Sequence, residues 1–354
     1  MTTAGPERVA LVMAGGRGQR FWPLSTEARP KQFLDLDRRG RTLLQATVDR
    51  VAPLVGGADR VMVATAARYE ALVREQVPEV PEANLLLEPV GRDSGPAIAL
   101  AALRIRARFG NAVMATFASD HQVADVDAFA ATVRRAMALA ESEGVLVAIG
   151  VRPTRPSTAY GYLERGARKG EGFELVRFTE KPTRERAERW VEDGRHLWNA
   201  GMFVWTTDAI LAALDAHAPD LMGPLRAAVE ADEVEARFAD LPKISIDYAV
   251  MEKAHGNALV EGDFGWDDVG DWRALERLLP RDDGGVRTVF GAHAGHDASG
   301  NIVYTDGPED VLVAFGVEGL VIVKRGDTVL VFPKDRVGEI KALLEDERLR
   351  DLVP

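Results

Sequence analysis

Three glycines and four cations stand together in AGGRGQRFWPLSTEARPKQF (14–33). Gly15, Gly16 and Gly18 let main-chain N–H groups crowd around an anion, and Arg17, Arg20 and Lys31 add positive charge. The stretch has neither the GK[ST] ending of a Walker loop nor the G-x-G-x-x-G dinucleotide fingerprint. A glycine-rich turn after a strand is common, but a merely structural turn has no need of the cations, which point to phosphate. Lysine usage points the same way. The chain has eight lysines against 36 arginines, yet Lys31 and Lys181 both sit inside dense motifs. A compact ammonium suits a crowded phosphate site that a guanidinium fork does not fit.

Two separated acids form a second group. Asp120 closes the apolar run AVMATFASD (112–120), and Asp268 lies in FGWDDVGDW (264–272) after the strand-like ALVEGDF (258–264). A few carboxylates combined with phosphate oxygens is the magnesium pattern of nucleotide chemistry; taken singly, each Asp reads as a turn or cap residue. His121 has no second histidine at ligand spacing and reads as a packing or hydrogen-bonding residue. Glu180-Lys181-Pro182, Trp198-Asn199-Ala200-Gly201 and Tyr160-Gly161-Tyr162 form a third group. Hydroxyl-rich ligands take carboxylate and amide partners beside an aromatic wall. Read alone, these are an exposed charge pair and strand filler.

The elements that must position these residues alternate. Predicted strands are RVALVMAG (8–15), RVMVATA (60–66), NLLLEPV (84–90), AVMATFASD (112–120) and VLVAIGV (145–151). Predicted helices are TLLQATVDRVAPL (42–54), YEALVREQV (69–77), GPAIALAALRIRARF (95–109) and DAFAATVRRAMALAES (127–142). Apolar strands separated by helices imply an α/β fold with a doubly wound, mostly parallel sheet. Ligands bind such sheets beyond the carboxyl ends of the strands, where residues 14–33 and Ser119-Asp120 both fall. Residues 151–285 are less regular. A β-rich tail follows in NIVYTD (301–306), VLVAFGV (311–317) and LVIVKRGDTVLVFPK (320–334), with a hairpin turn at Gly326-Asp327. VGEIKALLEDERL (337–349) is predicted to close the chain as a helix. The polar break Asp282-Asp283-Gly284-Gly285 separates a catalytic domain (1–285) from a small C-terminal β-rich domain (286–354). No internal repeat is visible.

The composition excludes several classes. With 354 residues, 46% hydrophobic and net charge −11, the chain is globular and a poor partner for a nucleic-acid backbone. It has no cysteine, hence no disulfide, thiolate metal site or cysteine nucleophile. MTTAGPERVALVMAGG is too short in apolar residues for a signal peptide or membrane span, so a soluble cytoplasmic protein is expected, with a homodimer left open.

Taken together, eight stretches resemble the sugar-phosphate nucleotidyltransferases, and within them the mannose-1-phosphate guanylyltransferases. They are residues 14–33, EPVGRDSGPAIAL (88–100), ASDH (118–121), AYGYLERG (159–166), FTEKP (178–182), WNAGMFVW (198–205), SIDYAVMEK (245–253) and WDDVGDW (266–272). They follow the family's order over residues 8 to about 275, and the tail resembles its small C-terminal β domain. The resemblance implies that main-chain groups of Leu11 to Gly16, Ala14 and Gly15 included, hold the nucleoside triphosphate with Arg17, Arg20 and Lys31. It implies that Glu88, Gly91 and Arg92 read the base. Asp120 and Asp268 would hold Mg²⁺, Gly161, Glu180 and Asn199 the mannose hydroxyls, and Lys181 the sugar phosphate. The family usually reads GRNTAPAI where this chain has Asp93, Ser94 and Gly95, which bears on base selection; Ala118 replaces a common proline. Many relatives carry a fused cupin-type isomerase domain, and a chain of this length is expected to be a single-activity enzyme.

The implied reaction joins GTP and mannose 1-phosphate to give GDP-mannose and pyrophosphate. The sugar phosphate is already anionic, so no general base is needed, consistent with the lack of any Ser-His-Asp or Cys-His signature. Two like charges ~4 Å apart repel by about 4 kcal/mol at an effective dielectric near 20, and Mg²⁺, Arg20, Lys31 and Lys181 would offset that repulsion. A nucleotidyltransferase for another triphosphate or hexose 1-phosphate, or a silent regulatory homologue, is the alternative.

Overall fold

A computed structural model describes residues 5–16, 18–279, 287–288, 292–307 and 309–349. Arg17 and the expected domain boundary at 282–285 lie outside the described residues. The chain divides into two compact units. The larger comprises Met1–Gly15, Thr47–Ser119 and Val123–Trp266; the smaller comprises Gly16–Ala46, Asp120–Gln122 and Asp267–Pro354.

The elements run β1 (Arg8–Met13), α1 (Leu43–Val55), β2 (Val61–Ala66), α2 (Glu70–Gln76), β3 (Leu85–Glu88), α3 (Ser94–Phe109), β4 (Val113–Ala118), β5 (Gln122–Val123) and α4 (Val126–Glu143). There follow β6 (Val147–Val151), β7 (Tyr162–Lys169), β8 (Gly172–Thr179), α5 (Arg184–Asp193), β9 (His196–Thr206), α6 (Thr207–His217), α7 (Pro219–Glu230), α8 (Val234–Arg237) and β10 (Ala258–Gly262). Nine of these strands form one sheet in the order β3-β2-β1-β4-β9-β6-β10-β8-β7. Strands β3, β2, β1 and β4 are parallel, as expected.

Beyond β4 the expectation of a mostly parallel sheet fails, and the sheet is mixed. Strand β9 runs antiparallel to both β4 and β6, and β8 antiparallel to β10 and β7. The cause is the connection. β7 and β8 are joined by a tight turn at Gly170 (φ 53°), which permits only antiparallel pairing, whereas a parallel neighbour needs a long crossover. β9 is buried along nearly its whole length. Its apolar run therefore carries no directional signal.

Helix α3 shows how the sequence sets these elements. Asp93 caps its start by accepting from the Ser94 N–H (2.8 Å), and Gly110 ends it at φ 72°. Its Ile98, Leu100 and Ile105 are buried in the core with Leu11, Met114, Phe203 and Trp205. Burying each such large apolar side chain stabilises the fold by about 1.5–3 kcal/mol. The parallel register brings Met13 opposite Ala118 and Ala66 opposite Glu88, so these four strands end on one sheet edge.

The smaller unit adds β11 (Trp266–Asp267, which begins in the larger unit), α9 (Trp272–Leu278), β12 (Arg287–Thr288), β13 (Ala292–His296), β14 (Ile302–Tyr304), β15 (Val311–Phe315), β16 (Leu320–Arg325) and β17 (Thr328–Pro333). Its core joins Phe21, Trp22 and Leu36 of the N-terminal segment to Trp272, Ile302, Val321, Val323 and Ile340. Parallel ladders β12-β14-β16 and β13-β15 stack rung on rung. This is a structural repeat with no visible sequence repeat. β16 and β17 form the expected hairpin around Gly326 and Asp327. The closing helix is broken, with α10 reduced to Ile340–Leu344 between 3₁₀ turns at Lys334–Glu339 and Glu347–Leu349. Only Val337 and Ile340 of this stretch are buried, so packing holds no longer helix.

Candidate active site

In the smaller unit the site is built around one lysine. Gly18 has φ 58°, and a Cβ there would lie 2.7 Å from the Lys31 main-chain nitrogen, so only glycine fits. Ser25 Oγ donates to the Gly18 carbonyl (2.5 Å) and Gln32 Nε2 to the Gly16 carbonyl (2.9 Å). These bonds pin the loop to the 3₁₀ turn Lys31–Phe33. Lys31 is only 7% exposed. Its ammonium lies 3.1 Å from Asp120 Oδ2 and donates to the carbonyls of Asp268 (3.0 Å) and Val269 (2.8 Å). All three donors are used.

The acids are held by strain as well as by charge. Val269 is fully buried with φ 45°, unusual for a β-branched residue, and its N–H donates to Asp267 Oδ1 (2.9 Å). Such a backbone costs on the order of 1–3 kcal/mol and persists where its surroundings over-determine it. Burial pushes the Asp120 carboxyl up, but Lys31 and His121 outweigh it and hold the group below its ordinary value. His121 Nε2 lies 3.9 Å from Asp120 Oδ1, as a charge partner. Among the described residues no cluster of three or more His, Cys, Asp or Glu could hold a metal. Lys31 ties the Asp120 carboxylate to the Asp268 main chain, and a hard cation of nucleotide chemistry needs only a few carboxylates, completing its shell from phosphate and water. Arg20 stands exposed on the 3₁₀ turn Gln19–Phe21.

In the larger unit, Leu11 is paired to Met62 on one side and Thr116 on the other, fully buried within the sheet. Ala14 donates to the Ala64 carbonyl (2.7 Å) and accepts from Thr65 Oγ1 (3.0 Å). Both residues therefore serve the sheet, and the main chain that can meet a ligand begins at exposed Gly15. A Cβ on Gly15 would come 3.8 Å from Glu88 Oε2. Glu88 is buried, its Oε1 has no hydrogen-bond partner among the described residues, and burial followed by the Asp93 charge pushes it up to about 7. Gly91 is exposed with open space around it, so packing does not require glycine there; Arg92 is half-buried.

The same unit gathers the third group. A Cβ on Gly161 would lie 2.5 Å from Glu180 Oε2 and 3.3 Å from Asn199 Cβ, so glycine keeps this corner open. The Asn199 N–H donates to the Gly161 carbonyl (2.8 Å), and its Nδ2 lies 3.3 Å from Asp247 Oδ1. Lys181 Nζ pairs with Glu180 Oε1 at 3.1 Å, from a backbone held at φ 46°. Burial, then the Glu180 charge, pushes Asp247 up to about 6. Tyr160 packs edge-on against Trp198 (5.0 Å) and Trp266 (5.3 Å), and the Arg155 guanidinium covers Trp198 at 5.2 Å. Trp198 thus joins an aromatic cluster directly before Asn199 in β9.

Residues 9–282 match the nucleotidyl transferase family, and residues 291–346 match a MannoseP isomerase/GMP-like beta-helix domain. A mannose-1-phosphate guanylyltransferase of Klebsiella pneumoniae is 37% identical over 95% of this chain and 73% of its own length. One from Sinorhizobium fredii is 38% identical, covering 99% and 71%. The chain belongs to the mannose-1-phosphate guanylyltransferase family. A crystal structure from Thermus thermophilus, described as a mannose-1-phosphate geranyltransferase, superposes with TM-score 0.89 at 40% identity, covering 97% of this chain and 99% of that one.

The departures from the family's GRNTAPAI stretch have local causes. Gly95 donates to the Ile244 carbonyl (2.9 Å), and a Cβ there would lie 2.6 Å from that oxygen, leaving no room for alanine. Ser94 Oγ accepts from the Ile246 N–H (2.9 Å), and Asp93 is the α3 cap. Ser94 and Gly95 thereby secure α3 to the segment that carries Asp247. Asp247, Arg155 and Trp266 have no assigned role in the sequence reading, although SIDYAVMEK contains the buried acid.

Proposed function

We propose that this protein transfers GMP from GTP to mannose 1-phosphate, releasing pyrophosphate and forming GDP-mannose. The observation that carries the proposal is Lys31, buried and bonded to both Asp120 and the main chain of Asp268, at the end of a glycine loop. A buried lysine joining two acids 89 and 237 residues away in sequence is costly unless the cluster is used.

A phosphate oxygen of the sugar phosphate attacks the α-phosphorus of GTP in line. A new P–O bond forms, the α–β bridge breaks, and its electron pair leaves with pyrophosphate. Asp120 and Asp268 would hold Mg²⁺, which when bound offsets the charge of the triphosphate. The Gly15 and Gly16 N–H groups donate to the triphosphate oxygens, and Arg20 and Lys31 counter the charge growing on the leaving group. In the larger unit, Glu88 accepts from the guanine N1–H and amino group, with Gly91 and Arg92 beside the base. Gly161, Glu180 and Asn199 orient the mannose hydroxyls, Asp247 fixes the Asn199 amide, and Lys181 binds the sugar phosphate. Catalysis is then placement and charge neutralisation, without a general base.

The test is pyrophosphate release across GTP, UTP, dTTP and ATP against mannose, glucose and N-acetylglucosamine 1-phosphates with Mg²⁺ present. Turnover confined to GTP with mannose 1-phosphate is expected. Preference for another pair would reassign the substrate, and binding without turnover would make the chain a sensor.

A further inference from the structure

The smaller unit contains a second cationic feature that the proposed chemistry does not use. A cavity of about 230 Å³ lies between the segment after the glycine loop and the C-terminal strands. Three arginines line it: Arg29 and Arg38 from the first segment and Arg325 at the end of β16. Tyr304 of β14, Asp35 and Asp306 complete its polar wall.

The three arginines outnumber the two acids. Asp35 is committed to the main chain, accepting from the N–H groups of Arg39 (3.0 Å) and Gly40 (2.8 Å). Asp306 accepts from the Gly326 N–H (2.9 Å) and stands 4.0 Å from Arg38. Arg38 is held at φ 56°, a conformation rare outside glycine, with its guanidinium 5.2 Å from the Tyr304 ring. Arg29 donates Nε to the Phe33 carbonyl (3.3 Å), and Arg325 donates Nη1 to the Leu24 carbonyl. Main-chain carbonyls thus orient two of the forks, and an aromatic face orients the third. Three oriented guanidiniums around a cavity of this size suit a dianion, which accepts several charge-assisted hydrogen bonds at once.

We propose that this cavity is a binding site for a phosphate dianion, either inorganic phosphate or the phosphoryl end of a small monoester. Its occupant would bridge the segment that carries Lys31 and the C-terminal strands. Phe33, two residues from Lys31, is one of its walls and accepts from Arg29.

The experiment is isothermal titration calorimetry of inorganic phosphate into the full chain, with Mg²⁺ and saturating GDP-mannose present to occupy the active site. One phosphate equivalent is expected to bind under these conditions. Arg38→Gln and, separately, Arg29→Gln should each weaken it by about tenfold or more, with kcat/KM for GTP within twofold of wild type. Both arginines are exposed, so folding tolerates their loss better than that of a core residue. A second arm replaces phosphate with a hexose 6-phosphate; tighter binding there identifies a monoester as the occupant, and equal or weaker binding identifies inorganic phosphate. Absence of any heat once GDP-mannose is bound overturns the proposal, as do isotherms for both variants within twofold of wild type. Neither result touches the substrate assignment, which the turnover matrix decides separately.

Discussion

Lys31 Nζ and Asp120 Oδ2 are 3.1 Å apart, with the lysine almost wholly buried. Two further acceptors at 2.8 and 3.0 Å complete the ammonium's shell. Lys31→Ala is therefore expected to do two things. It should lower kcat by about 10²–10³-fold with a smaller rise in KM for GTP, because the lost charge matters most as pyrophosphate departs. It should also lower Tm by several degrees, since the partners of a buried charge are left unpaired. Lys31→Arg should recover only part of either loss, because three acceptors converge on one nitrogen. Steady-state kinetics with thermal denaturation test this, and an Ala variant unimpaired in both removes Lys31 from the site.

Asp120→Asn and Asp268→Asn are each expected to reduce turnover by at least about 10²-fold while circular dichroism stays native. For Asp120 the acid limb of stability should change as well. Its carboxyl is held below its ordinary 3.8, so its contribution is present above that pH and is lost as pH falls through the lower folded value. Asp120→Asn should be less stable than wild type at neutral pH and converge with it in strong acid. Full activity of either variant at saturating Mg²⁺ would strike that residue from the metal assignment.

The first parallel strands were legible because strand and helix periods alternate cleanly up to residue 151. Glycines 15, 16 and 18, with Lys31, were also legible, since few structural turns carry such charge. The direction of β9 was not, because burial along nearly its whole length erases the alternation that would distinguish pairings. Nor was the role of Lys31 as a link between Asp120 and the Asp268 main chain, which depends on contacts 89 and 237 residues apart in sequence. Asp247 was hidden for a related reason. It sits in an apolar π-helical stretch, Asp247–Met251, and only the fold sets it beside Asn199 and Glu180.

Gly161→Ala should report on the sugar end alone. Its new Cβ would meet Glu180 Oε2 at 2.5 Å, and the carboxylate must swing away. An increase of about tenfold in KM for mannose 1-phosphate is expected, with KM for GTP nearly unchanged. Glu180→Gln and Asn199→Ala should follow the same pattern. A matching rise in KM for GTP, with none for the sugar phosphate, would place this corner on the nucleotide instead.

Glu88 offers a test through pH. Burial and the Asp93 charge raise its carboxyl to about 7, against 4.5 in the unfolded chain. A raised folded value means that its favourable contribution is complete below about 4.5 and is lost as pH rises through about 7. Glu88→Gln stays neutral throughout, so the free variant should match wild type near pH 4.5 and exceed its stability at pH 8 by on the order of 1–3 kcal/mol. Binding should move the opposite way. A carboxylate accepts from both the N1–H and the amino group of guanine, whereas a glutamine amide can accept from one and presents its own N–H groups to the other. Glu88→Gln should raise KM for GTP by about 10–100-fold. In wild type kcat/KM for GTP should fall as pH drops below 7, because only the ionised form reads the base; in the variant that limb should flatten. Chemical denaturation at two pH values and a kcat/KM profile decide the matter. A variant less stable than wild type at pH 8 would show that the Glu88 carboxyl is not raised, and one that keeps wild-type KM with the same acid limb would show that Glu88 does not read the base.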